Sequence, residues 1–120
     1  MNGDVMALIG FKARFAGPVS RGEKRQTVRL WRKHPIHSGE MLHLYTGLRT
    51  PRAKLLMRAR CCYAASVYLD VHLGAVDGIK MTHEEREDFA RRDGFKGWPE
   101  FVACLGDMHE LPFEGQVIRW

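Results

Sequence analysis

The chain contains no apolar run near the roughly 20 residues that span a bilayer. Its N-terminus, "MNGDVMALIG", lacks the basic, apolar and small-residue order of a secretory signal. These absences lead us to expect a soluble cytoplasmic protein with no membrane partner. Cysteine is scarce: there are three, Cys61 and Cys62 are adjacent, and no C-x-x-C pair occurs. That excludes a disulfide framework and the commonest zinc signatures, and predicts reduced cysteines that pack as small hydrophobes. Glycine is sparse where phosphate binding would need it. A Walker loop requires G-x-x-x-x-G-K-[ST], and in "GEKRQT" Gly22 stands alone. Internal repeats and low-complexity segments are absent as well.

What is present fits one domain over residues 1–120 with one core, since 45% of the residues are hydrophobic and 28% charged. Nineteen Lys and Arg exceed fourteen Asp and Glu, giving a formal charge of +5, which favours anionic partners without specifying a fold.

Along the chain, "VMALIGFKARF" reads as a first strand ending at Phe15, and Pro18 as the first turn of a short helix, "PVSRG", stopped by Gly22. "RQTVRLW" reads as a second strand, with Thr27, Arg29 and Trp31 on one face. "MLHLYTGLR" and "AKLLMRARCCYAASVYL" read as further strands, the latter bent or broken between Cys61 and Ala65. A short strand is expected near "DVHL" before "GAVDG" turns the chain. The period then changes. Thr82 with Glu85 has the spacing of a capping box, and acidic residues precede Arg91 and Arg92 as a helix dipole favours. "WPEFVACLGDMHE" predicts another helix, with Pro99 in its first turn and Gly106 as its stop, and "EGQVIRW" a last strand. This order predicts an α+β fold: a curled, mostly antiparallel sheet forming a small barrel, with helices grouped at one side.

His34, His37 and Glu40 form H-x-x-H-x-x-E, but Pro35 and Gly39 put them in a loop where that spacing does not impose convergence. No metal and no cofactor are expected. Arg21, Lys24, Arg25, Arg29, Arg32 and Lys33 form a basic cluster that reads either as a solvated face or as a nucleic-acid patch.

The stretch "RGEKRQTVR" resembles the G-x-K-x-x-T-x-R signature of ASCH domains, a PUA-like family, with Gly22, Lys24, Thr27 and Arg29 on the pattern. "FKARF" is similar to the family's first strand, with Arg14 and Phe15 at its end. "LHLYTGLRT" resembles the G-x-x-L-x-L-Y-T-G-x-R-T segment of phage-type members, and the C-terminal "RRDGFKGWPEFVACLGDMHELPFEGQVIRW" resembles their ending. The resemblance runs from about Phe11 to Trp120. It implies a small β-barrel with helices at its mouth and a cleft between them.

One branch of such single-domain proteins removes the acyl group from N4-acetylcytidine and related acylated cytosines. By this resemblance the catalytic set is Lys24, Thr27 and, where the family has Glu, the shorter Asp93. Arg14, Phe15, Arg29 and Tyr45 are the implied substrate-binding residues, with a modified nucleoside as the small-molecule partner. Amide hydrolysis needs a nucleophile, a base and an acid for the leaving amine. A lysine serves as base only if its pKa falls from about 10.4 toward neutrality, which burial and nearby arginines promote. Thr27 is then nucleophile, or it positions the carbonyl for attack by water; Asp93 orients Lys24 or acts as acid. Lys24 and Thr27 converge only if Lys24 precedes the regular strand. Competing readings are a non-catalytic RNA- or nucleotide-binding module, with Arg21, Lys24, Arg25, Arg32 and Lys33 on phosphates, and a ribonuclease. The oligomeric state is left open by the sequence.

Overall fold

A computed structural model describes residues 6–120. In order, the elements are β1 (Met6–Phe11), α1 (Ala13–Ser20), β2 (Gln26–Leu30), β3 (Met41–Thr46), β4 (Lys54–Arg60), β5 (Tyr63–Asp70), β6 (Leu73–Val76), β7 (Ile79–Lys80), α2 (His83–Arg92), α3 (Trp98–Met108) and β8 (Phe113–Arg119). No helix among the described residues is long and apolar enough to cross a membrane.

The described residues form an α+β fold, with eight strands in two sheets. One is ordered β1-β3-β4, with β1 parallel to β3, and the other is β2-β8-β5-β6-β7, antiparallel throughout. No ladder among the described residues joins the sheets into a closed ring. They are continuous through the chain: β4 ends at Arg60, Cys61 and Cys62 turn it, and β5 begins the second sheet. The expected break in that long segment is therefore present.

Among the described residues there are two apolar clusters instead of one core. α2 and α3 pack Phe89, Trp98, Phe101 and Leu105 against Leu69, Phe113 and Val117 of the five-stranded sheet. Ile9, Phe11, Leu42 and Leu44 of the three-stranded sheet pack against Val19 of α1, Ile36, Cys61 and Ile118. The start of β2 and the approach to it lie between these clusters, and Lys24, Gln26 and Thr27 are buried there.

The capping box of α2 is present: the Thr82 hydroxyl accepts from the Glu85 N–H at 3.1 Å, and the Glu85 carboxylate accepts from the Thr82 N–H at 2.8 Å. Several boundaries differ from the sequence reading. The first strand ends at Phe11 rather than Phe15, and Val5, read as its first residue, lies outside the described residues. Arg14 and Phe15 belong to α1, because four-residue spacing directs Phe15 and Val19 into the same cluster. Pro18 consequently lies inside that helix, not in its first turn. β2 ends at Leu30, leaving Trp31 beyond it and 52% exposed. "GAV" forms part of β6, so the turn is confined to Asp77 and Gly78 before β7, a strand the sequence reading did not separate. Gly106 does not stop α3, which runs to Met108.

Candidate active site

The helix-to-strand connection sets the position of Lys24. After α1, Gly22 adopts φ +76°, a left-handed conformation that glycine takes without steric cost, and its N–H reaches the Val19 carbonyl at 3.1 Å. The Glu23 and Lys24 N–H groups then both donate to the Pro18 carbonyl, at 2.9 and 3.1 Å. Lys24 thus precedes the regular strand, and its side chain turns into the same cleft as Thr27 on β2. This meets the condition that sequence parity set for their convergence.

Asp93 reaches the cleft as the C-cap of α2. Lys24 and Asp93 are each only 3% exposed. Lys24 Nζ donates to Asp93 Oδ1 and, at 2.6 Å, to the Asp93 main-chain carbonyl. The shorter side chain thus spans the gap. Gly94 provides the room: a Cβ there would sit 3.2 Å from Lys24 Cβ, and its φ of +94° disfavours a side chain independently. Arg92, beside Asp93 in sequence, is engaged elsewhere by Asp88 at 3.0 Å.

Gln26 was not singled out by the sequence reading. It is fully buried, and its Nε2 donates to Asp93 Oδ2 at 2.9 Å and to the Phe89 carbonyl at 3.1 Å. Its Oε1 accepts from Arg119 Nε at 2.9 Å. Each Asp93 oxygen therefore has its own donor, and a hydrogen-bonded chain runs from Arg119 through Gln26 and Asp93 to Lys24. The clue in the sequence was a lone amide on the face of β2 otherwise made by Val28 and Leu30. Its partner is sixty-seven residues away, beyond local inference.

On the other side, Arg29 Nε donates to Thr27 Oγ1 at 3.1 Å. The threonine hydroxyl is thus fixed as an acceptor, with its own proton free for a base. The Arg29 guanidinium lies 4.9 Å from the centre of the Phe11 ring. Burial draws its pKa down to about 10, against the upward pull of Asp93, so it remains charged at neutral pH. Burial is also the largest influence on Lys24 and lowers its pKa. Asp93 pulls it back up by charge and hydrogen bond, and Arg29 adds to the lowering.

These groups line a cleft of about 290 Å³, at the small end of ligand pockets, with Phe15, Phe95 and Phe101 forming an apolar wall. Lys24 Nζ lies 4.9 Å from the Phe15 ring centre and 5.6 Å from that of Phe95. Met108 and His109 close the helical side. Burial, then Arg29 and Lys12, lower the His109 pKa and favour its neutral form. Cys104 also lines the cleft, and its Sγ accepts from the Arg14 guanidinium at 2.9 Å.

Lys24, Thr27, Asp93, Phe15 and Arg29 are thus brought together. Arg14 approaches the cleft through Cys104, while Tyr45 stands in β3 opposite Gly10 and Leu55 and is not a lining residue. Lys24 is removed from any phosphate-binding edge by its burial, whereas Arg21, Arg25, Arg32 and Lys33 are exposed. His34 and His37 lie in the exposed loop, where Glu40 accepts from the His37 main-chain N–H at 2.9 Å. No three His, Cys, Asp or Glu residues among those described are grouped as metal ligands. Comparison with known proteins finds no family model, no curated protein and no solved structure that matches the chain.

Proposed function

We propose that this chain is a small cytoplasmic ASCH-type domain of PUA-like barrel ancestry, and that it hydrolyses the amide of N4-acylated cytosine nucleosides such as N4-acetylcytidine. One observation carries the reading: a buried Lys24, held by Asp93 and drawn toward its neutral form, shares an aromatic-walled cleft with the hydroxyl of Thr27.

In this mechanism the neutral Lys24 amine takes the Thr27 hydroxyl proton as Oγ1 bonds to the acyl carbon. Negative charge develops on the acyl oxygen, and the Arg29 guanidinium beside Thr27 stabilises it in a site largely withdrawn from water. The C–N bond breaks, and the Lys24 ammonium returns its proton to the cytosine N4. Water then attacks the ester on Thr27, giving its proton to Lys24; the ester C–O bond breaks, Thr27 takes a proton back, and the carboxylic acid departs. Asp93 accepts hydrogen bonds throughout, keeping the amine aimed into the cleft, and acts as the orienting carboxylate. The pyrimidine ring packs on the Phe15 and Phe95 wall.

The test is incubation of the purified protein with N4-acetylcytidine while following the ultraviolet change to cytidine. Turnover that disappears in both Lys24→Ala and Thr27→Ala is the expected result. Absence of turnover at micromolar wild-type enzyme over hours overturns the reading. Turnover surviving in Thr27→Ala but not in Lys24→Ala replaces the acyl-enzyme step with direct attack by water.

A further inference from the structure

A second groove lies outside the cleft, between α2 and the β6–β7 hairpin. Its volume is about 640 Å³, within the range of small-molecule pockets. The buried side chains of Phe89 and Met81 line it, and so does Ile79, an apolar residue that is 74% exposed. The hairpin that carries Ile79 is tied to β5. The Asp77 N–H donates to the Ser66 carbonyl at 2.9 Å, and the Asp77 carboxylate accepts from the Ser66 N–H and hydroxyl, both at 3.3 Å. That wall of the groove is therefore held in place.

Arg119 of β8 lines the groove with an oriented guanidinium. Its Nε donates inward to Gln26 at 2.9 Å, and its Cζ lies 4.7 Å from the Tyr63 ring centre and 5.9 Å from that of Phe89. Among the described residues, Nη1 and Nη2 donate to no protein acceptor, and no carboxylate pairs with them. One edge of the guanidinium is thus fixed by the fold while the other keeps its donors free. Four carboxylates line the groove as well, Asp77, Glu84, Glu85 and Asp88, matched in number by Lys80, Arg91, Arg92 and Arg119. Asp88 is already paired with Arg92 at 3.0 Å, and Glu85 accepts from the Thr82 N–H at 2.8 Å. This balance repels a polyanion such as a phosphate chain and admits a single negative charge.

We propose that the groove binds a small organic monocarboxylate with an apolar body, its oxygens on Nη1 and Nη2 of Arg119 and its body against Phe89, Met81 and Ile79. A planar guanidinium matches the two oxygens of a carboxylate with parallel hydrogen bonds, and orientation by Gln26 and Tyr63 lowers the entropy lost on binding. The exposed Ile79 gains an apolar neighbour from the ligand. This binding does not depend on the proposed reaction.

The experiment is titration of the full chain with indoleacetate, followed by amide nuclear magnetic resonance shifts. A ligand of this size is expected to bind with a Kd of about 1 mM and to move the resonances of Tyr63, Ile79, Met81 and Arg119. Indoleacetamide, which has the same ring without the charge, is expected to bind about 10-fold more weakly. Arg119→Gln removes the free donors and is expected to weaken indoleacetate binding by a similar factor. Ile79→Glu changes only an exposed side chain, sets a like charge beside the ligand, and is expected to weaken binding even where Arg119→Gln perturbs folding. Arg58→Gln, on the other sheet, is expected to stay within twofold of wild type. Absence of saturable shifts at ten times the expected Kd overturns the proposal, as do shifts confined to the cleft of Lys24 and Thr27. Equal affinity for indoleacetamide, or unchanged binding in Ile79→Glu, overturns it too. Tighter binding of inorganic phosphate in the groove, or a dimer that covers Ile79, has the same consequence.

Discussion

Lys24 and Arg29 on one side of the molecule carry the same formal charge as Arg58 and Arg60 on the other, yet their settings are opposite. Lys24 is enclosed between two apolar clusters and bonded to Asp93, and Arg29 is pulled down to about 10 by burial. Arg58 and Arg60 project from an open sheet face with no carboxylate partner. Burial, rather than cation density along the sequence, separates a group whose protonation is adjustable from one that attracts anions. An enclosed amine loses hydration and gives up its proton more readily, whereas an exposed guanidinium stays charged and interacts over a Debye length of about 8 Å at physiological salt.

The largest expected effect breaks this comparison at the enclosed side. Lys24→Ala removes the base and is expected to lower kcat on N4-acetylcytidine by about 10²- to 10⁴-fold. Arg58→Gln with Arg60→Gln is expected to leave kcat unchanged, and steady-state kinetics on both variants distinguish the two settings. Next in size is the stability of the pair itself. Asp93→Ala strands a buried ammonium, and urea denaturation is expected to show a loss of about 3–5 kcal/mol. Replacement of Arg58 alone stays within about 0.5 kcal/mol.

Gln26→Leu tests whether the inner hydrogen bonds govern the amine. It leaves Asp93 Oδ2 and the Phe89 carbonyl without their donor, at a cost of about 1–3 kcal/mol. It also frees Asp93 to turn from Lys24, removing the influence that raises the lysine pKa. The acid limb of the pH–rate profile is therefore expected to move to lower pH. A smaller change comes from Gly94→Ala, which places a methyl against the Lys24 stem in a left-handed backbone. Thermal denaturation is expected to register about 1–2 kcal/mol of destabilisation.

The fold was legible wherever local chemistry decided it. Thr82 and Glu85 marked the start of α2, and "MLHLYTGLR" was read as the strand that became β3. The Cys61–Cys62 break was visible because the apolar segment was too long for one strand. The first strand was overextended because "KARF" has no proline or glycine to divide strand from helix, and only the tertiary cluster under Phe15 and Val19 decides between them. The cleft residues of β2 and its approach were legible only through the resemblance that Gly22, Lys24, Thr27 and Arg29 carry, which composition alone read as a basic cluster. Gln26, Phe95 and His109 were not, because each acquires its place through contacts sixty or more residues away from the signature or across the cleft. The open sheet face was equally hidden, since strand partners and register determine which side Arg58 and Arg60 occupy.

The central claim is that enclosure overrides the attraction of Asp93 in setting the charge of Lys24. Titration of the lysine side-chain carbons by nuclear magnetic resonance, with Lys24 assigned from Lys24→Arg, measures this directly. The account predicts that Lys24 titrates below its ordinary value of 10.5. In the window between the lowered folded value and the ordinary unfolded one, the unfolded chain binds the extra proton, and this group makes stability rise with pH. A Lys24 titration at or above 10.5 contradicts the account, because the ion pair then holds the amine charged and unable to take the Thr27 proton.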